Sequence, residues 1–258
     1  MTKSKGRKKS TDRRGFVGLA LATLGASLGS SLRARAADAP KSPSRPRAPG
    51  HAADSDPPPA QRARLPRRLA ADFHTHIETR LPALRASFEA AGRETGFNWR
   101  LLAALGYQES KWRSNAVSPR GAQGIMMQMP LTATKMGLKN VFAADENILA
   151  GARYLAHMKD RIPRRILDPD RTWLAIAAYN IGIGHLEDAR IITQMRKKNP
   201  DRWSDVRANL HRLSDPVWHD RVKRGYANGR ETVQFVERVS QFAAILETAL
   251  PENIVAQE

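Results

Sequence analysis

From about Asp72 onward, apolar residues return at three- and four-residue spacing, and nowhere does the chain show sustained two-residue alternation between turn signals. This periodicity makes a sheet-based fold a poor fit and predicts one all-α domain. Leu81, Leu84, Phe88 and Ala91 fall on one helical face, and Gly96 closes that stretch. Asn98 is placed to cap the next helix, "WRLLAALGYQE". A helix is predicted through "NILAGARYLAHMKD", with Ile148, Ala152, Leu155 and Ala156 on one side. In "LDPDRTWLAIAAYNIGIG", Asp168 reads as N-cap, Pro169 as the first helical residue, and Gly182 and Gly184 as the stop. Further helices are expected over "HLEDARIITQMRKK", "DRWSDVRANL", "SDPVWHDRVKR" and "ETVQFVERVSQFAAILETAL".

Ahead of the helical region the texture differs. "MTKSKGRKKSTDRR" is a basic opening, "GFVGLALATLGASLGSSL" an apolar run diluted by Gly and Ser, and "RARA" a small-residue cleavage pattern ending at Ala36. Arg13 and Arg14, with Phe16 close behind, look like a twin-arginine export signal, the alternative being an ordinary secretory signal. The apolar run is too short and too glycine-rich for a comfortable membrane span. Residues 37–70 are rich in Pro, Ala and Arg without apolar periodicity and read as a disordered tether. The expected organisation is a signal over 1–36, the tether over 37–70, the helical domain over 71–250 and a tail over 251–258. Periplasmic localisation follows, with no stable membrane insertion once the signal is removed and a monomer as the expected state.

Charge and cysteine content narrow the function. The formal net charge is +18 and there is no cysteine, so disulfide frameworks and thiol nucleophiles are excluded. Residues 1–36 hold nine Lys/Arg against Asp12, which is 9 − 1 = +8, leaving +10 for the rest. Such a balance favours anionic partners, and export weakens a nucleic-acid reading.

Glu109 stands out in "GYQESKWRSNAVSPRGAQGIMMQMP". It lies seven residues after Leu102 and three after Gly106, on the apolar face and at the helix end. A carboxyl in an apolar wall is costly to ionise, so its pKa rises. A glutamic acid still protonated at neutral pH suits general-acid attack on a glycosidic oxygen. The pattern alone leaves a second reading open, a last-turn glutamate directed to solvent.

The ordered blocks "ES", "SNAVSPRGAQGIMM", "NILAGARYL", "AAYNIGIGH" and "ANGRETVQFV" closely resemble the catalytic domain of lytic transglycosylases, the goose-lysozyme-like (SLT) family, with the transglycosylase F branch nearest. The resemblance runs from about Phe73 to about Leu246. It implies a lysozyme-like domain that cleaves the MurNAc-β-1,4-GlcNAc bond of peptidoglycan without water, leaving 1,6-anhydro-MurNAc ends, and it implies no cofactor and no metal. Glu109 matches the family's single acid/base, which protonates the departing oxygen and then takes the proton of the muramic C6 hydroxyl. Ser110 follows it as in the family and is expected to orient the carboxylate or the sugar. Gly121 and Gly124 match glycines that let glycan approach the backbone. Tyr179 is expected near the carboxylate, Asn180 near the sugar, and Glu231 matches the late acidic position.

Departures from the pattern concern the groove. The common Gly-Leu-Met-Gln block reads Gly124, Ile125, Met126, Met127 here, and Gln128 follows one place later, where a one-residue shift turns a side chain to another face. Met126, Met127 and Gln128 are counted among the substrate-contacting residues. Phe235 stands where tyrosine is usual. The F branch carries a solute-binding-like domain ahead of its catalytic domain, and this chain has the proline-rich tether in that place.

Other features carry less. His74 and His76 have a spacing metals sometimes use, without a third ligand. "IGIG" follows a helix and not a strand, which argues against a phosphate loop. Met129 extends the methionine cluster, and the five tryptophans could serve as core or as sugar-stacking surfaces. A hydrolytic muramidase on the same fold would need a second acid, for which Glu231 is the candidate, since Asp145 and Asp168 read as helix caps. A non-catalytic wall-binding protein is the third class, disfavoured by the Glu109, Tyr179 and Asn180 set.

Overall fold

The computed structural model describes residues 65–251. The proposed signal, the tether up to residue 64 and residues 252–258 lie outside that range. The described residues form ten α-helices: α1 (Arg67–Thr79), α2 (Arg85–Thr95), α3 (Trp99–Ser110), α4 (Pro130–Lys135), α5 (Ala144–Asp160), α6 (Asp170–Ile181), α7 (Ile183–Met195), α8 (Trp203–Leu210), α9 (Pro216–His219) and α10 (Gly229–Ala249). Two 3₁₀ turns, Leu81–Ala83 and His211–Ser214, complete the helical content. Among the described residues there is no strand, only isolated bridges of Gln123 with Val117 and with Gln128.

Helix α3 is the axis of the packing. Leu102, Ala103, Ala104, Leu105, Gly106 and Tyr107 are buried in succession, so every face of the helix is covered. α10 is its most extensive partner, α2 packs on α3 and α5, and α6 touches α5, α7, α8 and α10. Small residues make this closeness possible. A Cβ on Gly106 would stand 3.1 Å from the Met126 sulfur and from the Phe88 ring. An aromatic knot locks the α3–α10 junction. Phe73 lies 4.4 Å from Tyr107 and 4.5 Å from Phe242, centroid to centroid, and Trp112 lies 4.8 Å from Tyr107. Each such contact adds about 0.5–1.5 kcal/mol beyond burial.

Local signals and observed elements agree where the chemistry is local. The Asn98 side chain accepts the Arg100 N–H at 2.9 Å, and Gly96 closes α2 in the left-handed region. Elsewhere the boundaries move. α1 begins at Arg67, inside the stretch assigned to the tether. Leu81 and Leu84 do not continue a helix into Phe88. Pro82 sits in a 3₁₀ turn that separates α1 from α2. Asp168 lies two residues ahead of α6 and Pro169 precedes its first turn, yet the Asp168 carboxylate still accepts the Thr172 N–H at 3.1 Å. Gly182 ends α6, but Gly184 falls inside α7 and stops nothing. α9 is only four residues long. Beyond it the buried Asp188 carboxylate takes the N–H groups of Lys223 and Arg224, which are therefore not available to a helix ladder. The short α4 was not anticipated.

Candidate active site

The last turn of α3 is held by an unusual ending. Lys111 and Trp112 both occupy the left-handed region, at φ 54° and 59°. That conformation costs roughly 1–2 kcal/mol per non-glycine residue. What holds it is the burial of the Trp112 ring against Phe73 and Tyr107, with its indole N–H donated to the Ala103 carbonyl at 2.8 Å. Glu109, two and three residues before this corner, is thereby placed on a fixed terminus. Met127, across the site, is a further non-glycine residue at positive φ, 46°. Strained backbone of this kind concentrates at functional sites.

The loop from 113 to 129 folds back through a short ladder. Gln123 and Gln128 exchange backbone hydrogen bonds at 3.0 and 2.9 Å, and the Gly124 N–H reaches the Ala116 carbonyl at 2.9 Å. Asn147, fully buried on α5, pins the loop. Its Oδ1 accepts the Met126 N–H at 2.7 Å, and its Nδ2 donates to the Val141 and Gln123 carbonyls at 2.9 and 3.2 Å. Sequence reasoning did not single out Asn147, although it opens the "NILAGARYL" block. Gly124 is required for this attachment. At φ 79°, its missing Cβ would stand 2.3 Å from Asn147 Nδ2 and 2.6 Å from the Val141 carbonyl oxygen.

Glu109 makes no hydrogen bond and no ion pair among the described residues. The residue keeps a partial opening to solvent. A carboxyl can retain such an opening and still lose most of its hydration, and burial alone pushes its pKa up to about 8. Beside it, Tyr179 is also shifted upward, first by burial, then by the negative charge of Glu109 and then by Tyr154. The Tyr179 hydroxyl donates its one proton to the Met126 carbonyl at 2.7 Å and accepts an N–H of Gln128 at 2.7 Å. With its proton committed, that hydroxyl can offer Glu109 only a lone pair. A lone pair favours the protonated acid over the carboxylate. Tyr154, whose ring meets that of Tyr179 edge-on at 5.2 Å, was not singled out by sequence reasoning.

The remaining expected site residues distribute unevenly. Ser110 does not face the carboxyl. It is buried, bonding the Gly106 carbonyl and the Arg113 N–H, because the helix end leaves those groups unpaired. Gly124, Met126 and Gln128 are buried, so they line the site from behind and expose no surface to a ligand. Gln128 turns inward because the left-handed Met127 redirects the chain, and its Nε2 reaches Tyr179 and the Met126 carbonyl. Its Oε1 is buried without a partner. Met127 keeps partial exposure, and Met129 is 41% exposed. Asn180 is exposed, and its Oδ1 accepts the Thr232 hydroxyl at 2.8 Å, tying α6 to α10. Glu231 is an exposed cap. Its N–H goes to Asn228 Oδ1, and its carboxylate takes the Asn228 amide at 3.0 Å. Phe235 is core. His76 does not pair with His74, because its Nδ1 meets the Tyr107 hydroxyl at 2.9 Å.

A helical domain with one unpartnered, desolvated glutamic acid at the end of its central helix has a counterpart among known families. The model of the transglycosylase SLT domain matches residues 86–201, and this domain belongs to that family. More narrowly, the chain is 47% identical over 177 residues to membrane-bound lytic murein transglycosylase F of Marinobacter nauticus, covering 69% of this chain and 35% of that protein. To the protein of the same description from Thiobacillus denitrificans it is 50% identical over 173 residues, covering 67% of this chain and 37% of that one. The chain thus spans little more than a third of the length of these relatives. A solved structure of an inactive mutant of lytic transglycosylase Slt from Pseudomonas aeruginosa aligns over 71% of this chain and 29% of its own, with 25% identity and a TM-score of 0.47.

Proposed function

We propose that the chain is a peptidoglycan lytic transglycosylase with Glu109 as its only proton carrier. The observation that carries the reading is a carboxyl whose pKa burial pushes up to about 8, with no other acidic side chain among the described residues acting on it. Glu109 gives its proton to the glycosidic oxygen as the muramic C1–O bond breaks, and the substrate's acetamido group stabilises the anomeric centre. The resulting carboxylate removes the C6 hydroxyl proton while O6 bonds to C1, which regenerates the acid. Two carboxylates are the rule where water is the nucleophile, and here water is not required. The Tyr179–Gln128–Met126 relay supports the protonated state from behind. Met127, Asn180 and the exposed side of the 113–129 loop are assigned to the glycan.

The hydrolytic alternative needs a second acid, and Glu231 is already committed to Asn228. Mass spectrometry of digested sacculi decides between them: anhydro ends support the lyase, reducing ends the hydrolase, and no product a binding protein. We assign the enzyme to the periplasm, exported through Arg13 and Arg14. No described helix is long and apolar enough to cross a membrane. Replacing both arginines with lysine should retain precursor in the cytoplasm, and normal export of that variant would contradict the route.

A further inference from the structure

Trp218, on α9, gathers three guanidinium groups around its ring. The Cζ atoms of Arg212, Arg196 and Arg221 lie 5.3, 5.5 and 5.7 Å from the ring centroid. They arrive from separate places: the 3₁₀ turn after α8, the C-cap of α7 and the segment after α9. A cation over an indole face is favourable, but three cations on one ring repel each other. None of the three forms an ion pair among the described residues. Elsewhere the pairing is different. Arg85 holds Glu89, Arg153 holds Glu94 and Arg165 holds Asp201, at 2.6–2.8 Å. The carboxylates near Trp218 are committed to other groups. Asp220 pairs with His219 at 2.9 Å, and Asp215 caps the Val217 N–H at 3.0 Å.

The positive field extends inward. His211 is shifted downward, first by burial and then by Arg212, Arg230 and Arg196, and no acidic side chain offsets them. Arg196 and Arg221 are exposed, so their outer N–H groups are open to a ligand. The patch is also fixed relative to the candidate active site. The Ala227 N–H bonds the Leu213 carbonyl at 3.0 Å and the Ser214 hydroxyl bonds the Ala227 carbonyl at 2.9 Å, which fastens the Arg212 turn to the start of α10. From the first turn of α10, Thr232 reaches Asn180 at 2.8 Å.

We propose that the Arg196–Arg212–Arg221 face of Trp218 is a docking surface for the peptide-stem carboxylates of the strand held in the active site. This rests on the proposed glycan-cleaving function. The sugars of such a strand offer no charge to three unpaired arginines, whereas its stems carry carboxylates at regular spacing. Guanidinium groups stacked on an indole present their edges outward, the geometry that takes a carboxylate through paired N–H donors. Stem-bearing strands are therefore held at two places, and stem-free strands at one.

The test uses the full chain with Glu109→Gln to prevent cleavage, and glycan strands immobilised with or without peptide stems. Arg196→Gln with Arg221→Gln leaves Arg212 covering Trp218. It should weaken binding to stem-bearing strands by about three- to tenfold and leave stem-free binding unchanged. The corresponding double lysine variant, which keeps charge at both places, should retain most of the affinity. Equal binding of the glutamine variant and its parent to stem-bearing strands overturns the proposal, as does an equal loss on both strands. Failure of the glycan-cleaving reading is seen separately, as the absence of anhydro ends from either strand with Glu109 restored.

Discussion

Glu109 and Glu231 are carboxylates at opposite ends of their helices, α3 and α10, with opposite surroundings. Glu231 stands at a helix start, exposed, where Asn228 satisfies both its N–H and its carboxylate. Glu109 stands at a helix end, desolvated by burial, with no hydrogen-bond donor and no cation among the described residues to hold its charge. A helix N-terminus favours an anion and a C-terminus disfavours one, so position and burial act in the same direction at each residue. Under the proposed function, the difference lies in the withholding of partners: capping gives Glu231 a structural task, and isolation would leave Glu109 with a proton to give.

The largest effect expected from this contrast is catalytic. Glu109→Gln keeps size and shape but removes the proposed proton carrier. It should lower release of anhydro-muropeptides by at least the upper end of the 10²–10⁴ typical of general acid–base action, because both transfers are lost. Glu231→Gln should keep anhydro product and lower stability by about 1 kcal/mol or less, as a weakened cap does. Loss of chemistry in Glu231→Gln with binding intact would reverse the assignment and point to a two-acid hydrolase. Chromatography of the products from both variants reads the outcome.

A smaller but global effect is expected behind the site. Asn147→Ala removes a buried side chain that satisfies the Met126 N–H and the Gln123 and Val141 carbonyls. Orphaning buried backbone groups costs about 1–3 kcal/mol, and denaturant unfolding should show a loss in that range or above, with the 113–129 loop losing hydrogen-exchange protection first. Tyr179→Phe breaks the link between the Met126 carbonyl and Gln128. A stability loss of about 1–2 kcal/mol is expected, with activity falling between those of Glu109→Gln and the parent.

A further effect depends on pH, and its sign separates isolation from capping. A carboxyl whose folded pKa is raised to about 8 keeps its proton in the native state while the unfolded chain loses it near 4.5. The unfolded state then binds fewer protons between those values, so stability declines as pH rises through that window and levels off above about 8. Glu109→Gln should therefore gain stability over the parent as pH rises, reaching about 2–4 kcal/mol above pH 8 once partial exposure is allowed for. Below pH 4.5 the two should converge. Parallel pH profiles in denaturant titrations would remove the basis for an isolated Glu109.

The sequence resolved some of this contrast and not the rest. Glu109 was legible because its spacing from Leu102, Leu105 and Gly106 is a property of one helix, and the caps at Asn98 and Gly96 are local as well. The family blocks placed Tyr179 and Asn180 in the site, but not what they bond. Tyr179 is tied to Gln128 and Met126, 51 and 53 positions away, and no periodicity reports such pairs. The inward turn of Gln128 depends on a left-handed Met127, a conformation that methionine does not advertise. Ser110 looked like a partner of its neighbour Glu109, yet the orphaned groups of the helix end claim it. Pro82 is a local break, but the helical spacing of Leu81, Leu84 and Phe88 runs across it and masks the 3₁₀ turn.

The most direct test is the titration of the Glu109 carboxyl itself, followed by NMR of the side-chain carboxyl carbon in protein labelled at glutamate, with Glu109→Gln identifying the resonance. A midpoint near 8 is predicted, with the resonance still that of the protonated acid at pH 6. A midpoint near the ordinary 4.5 would show a hydrated carboxylate at the end of α3, and would contradict the central claim that burial and the lack of partners make Glu109 the acid.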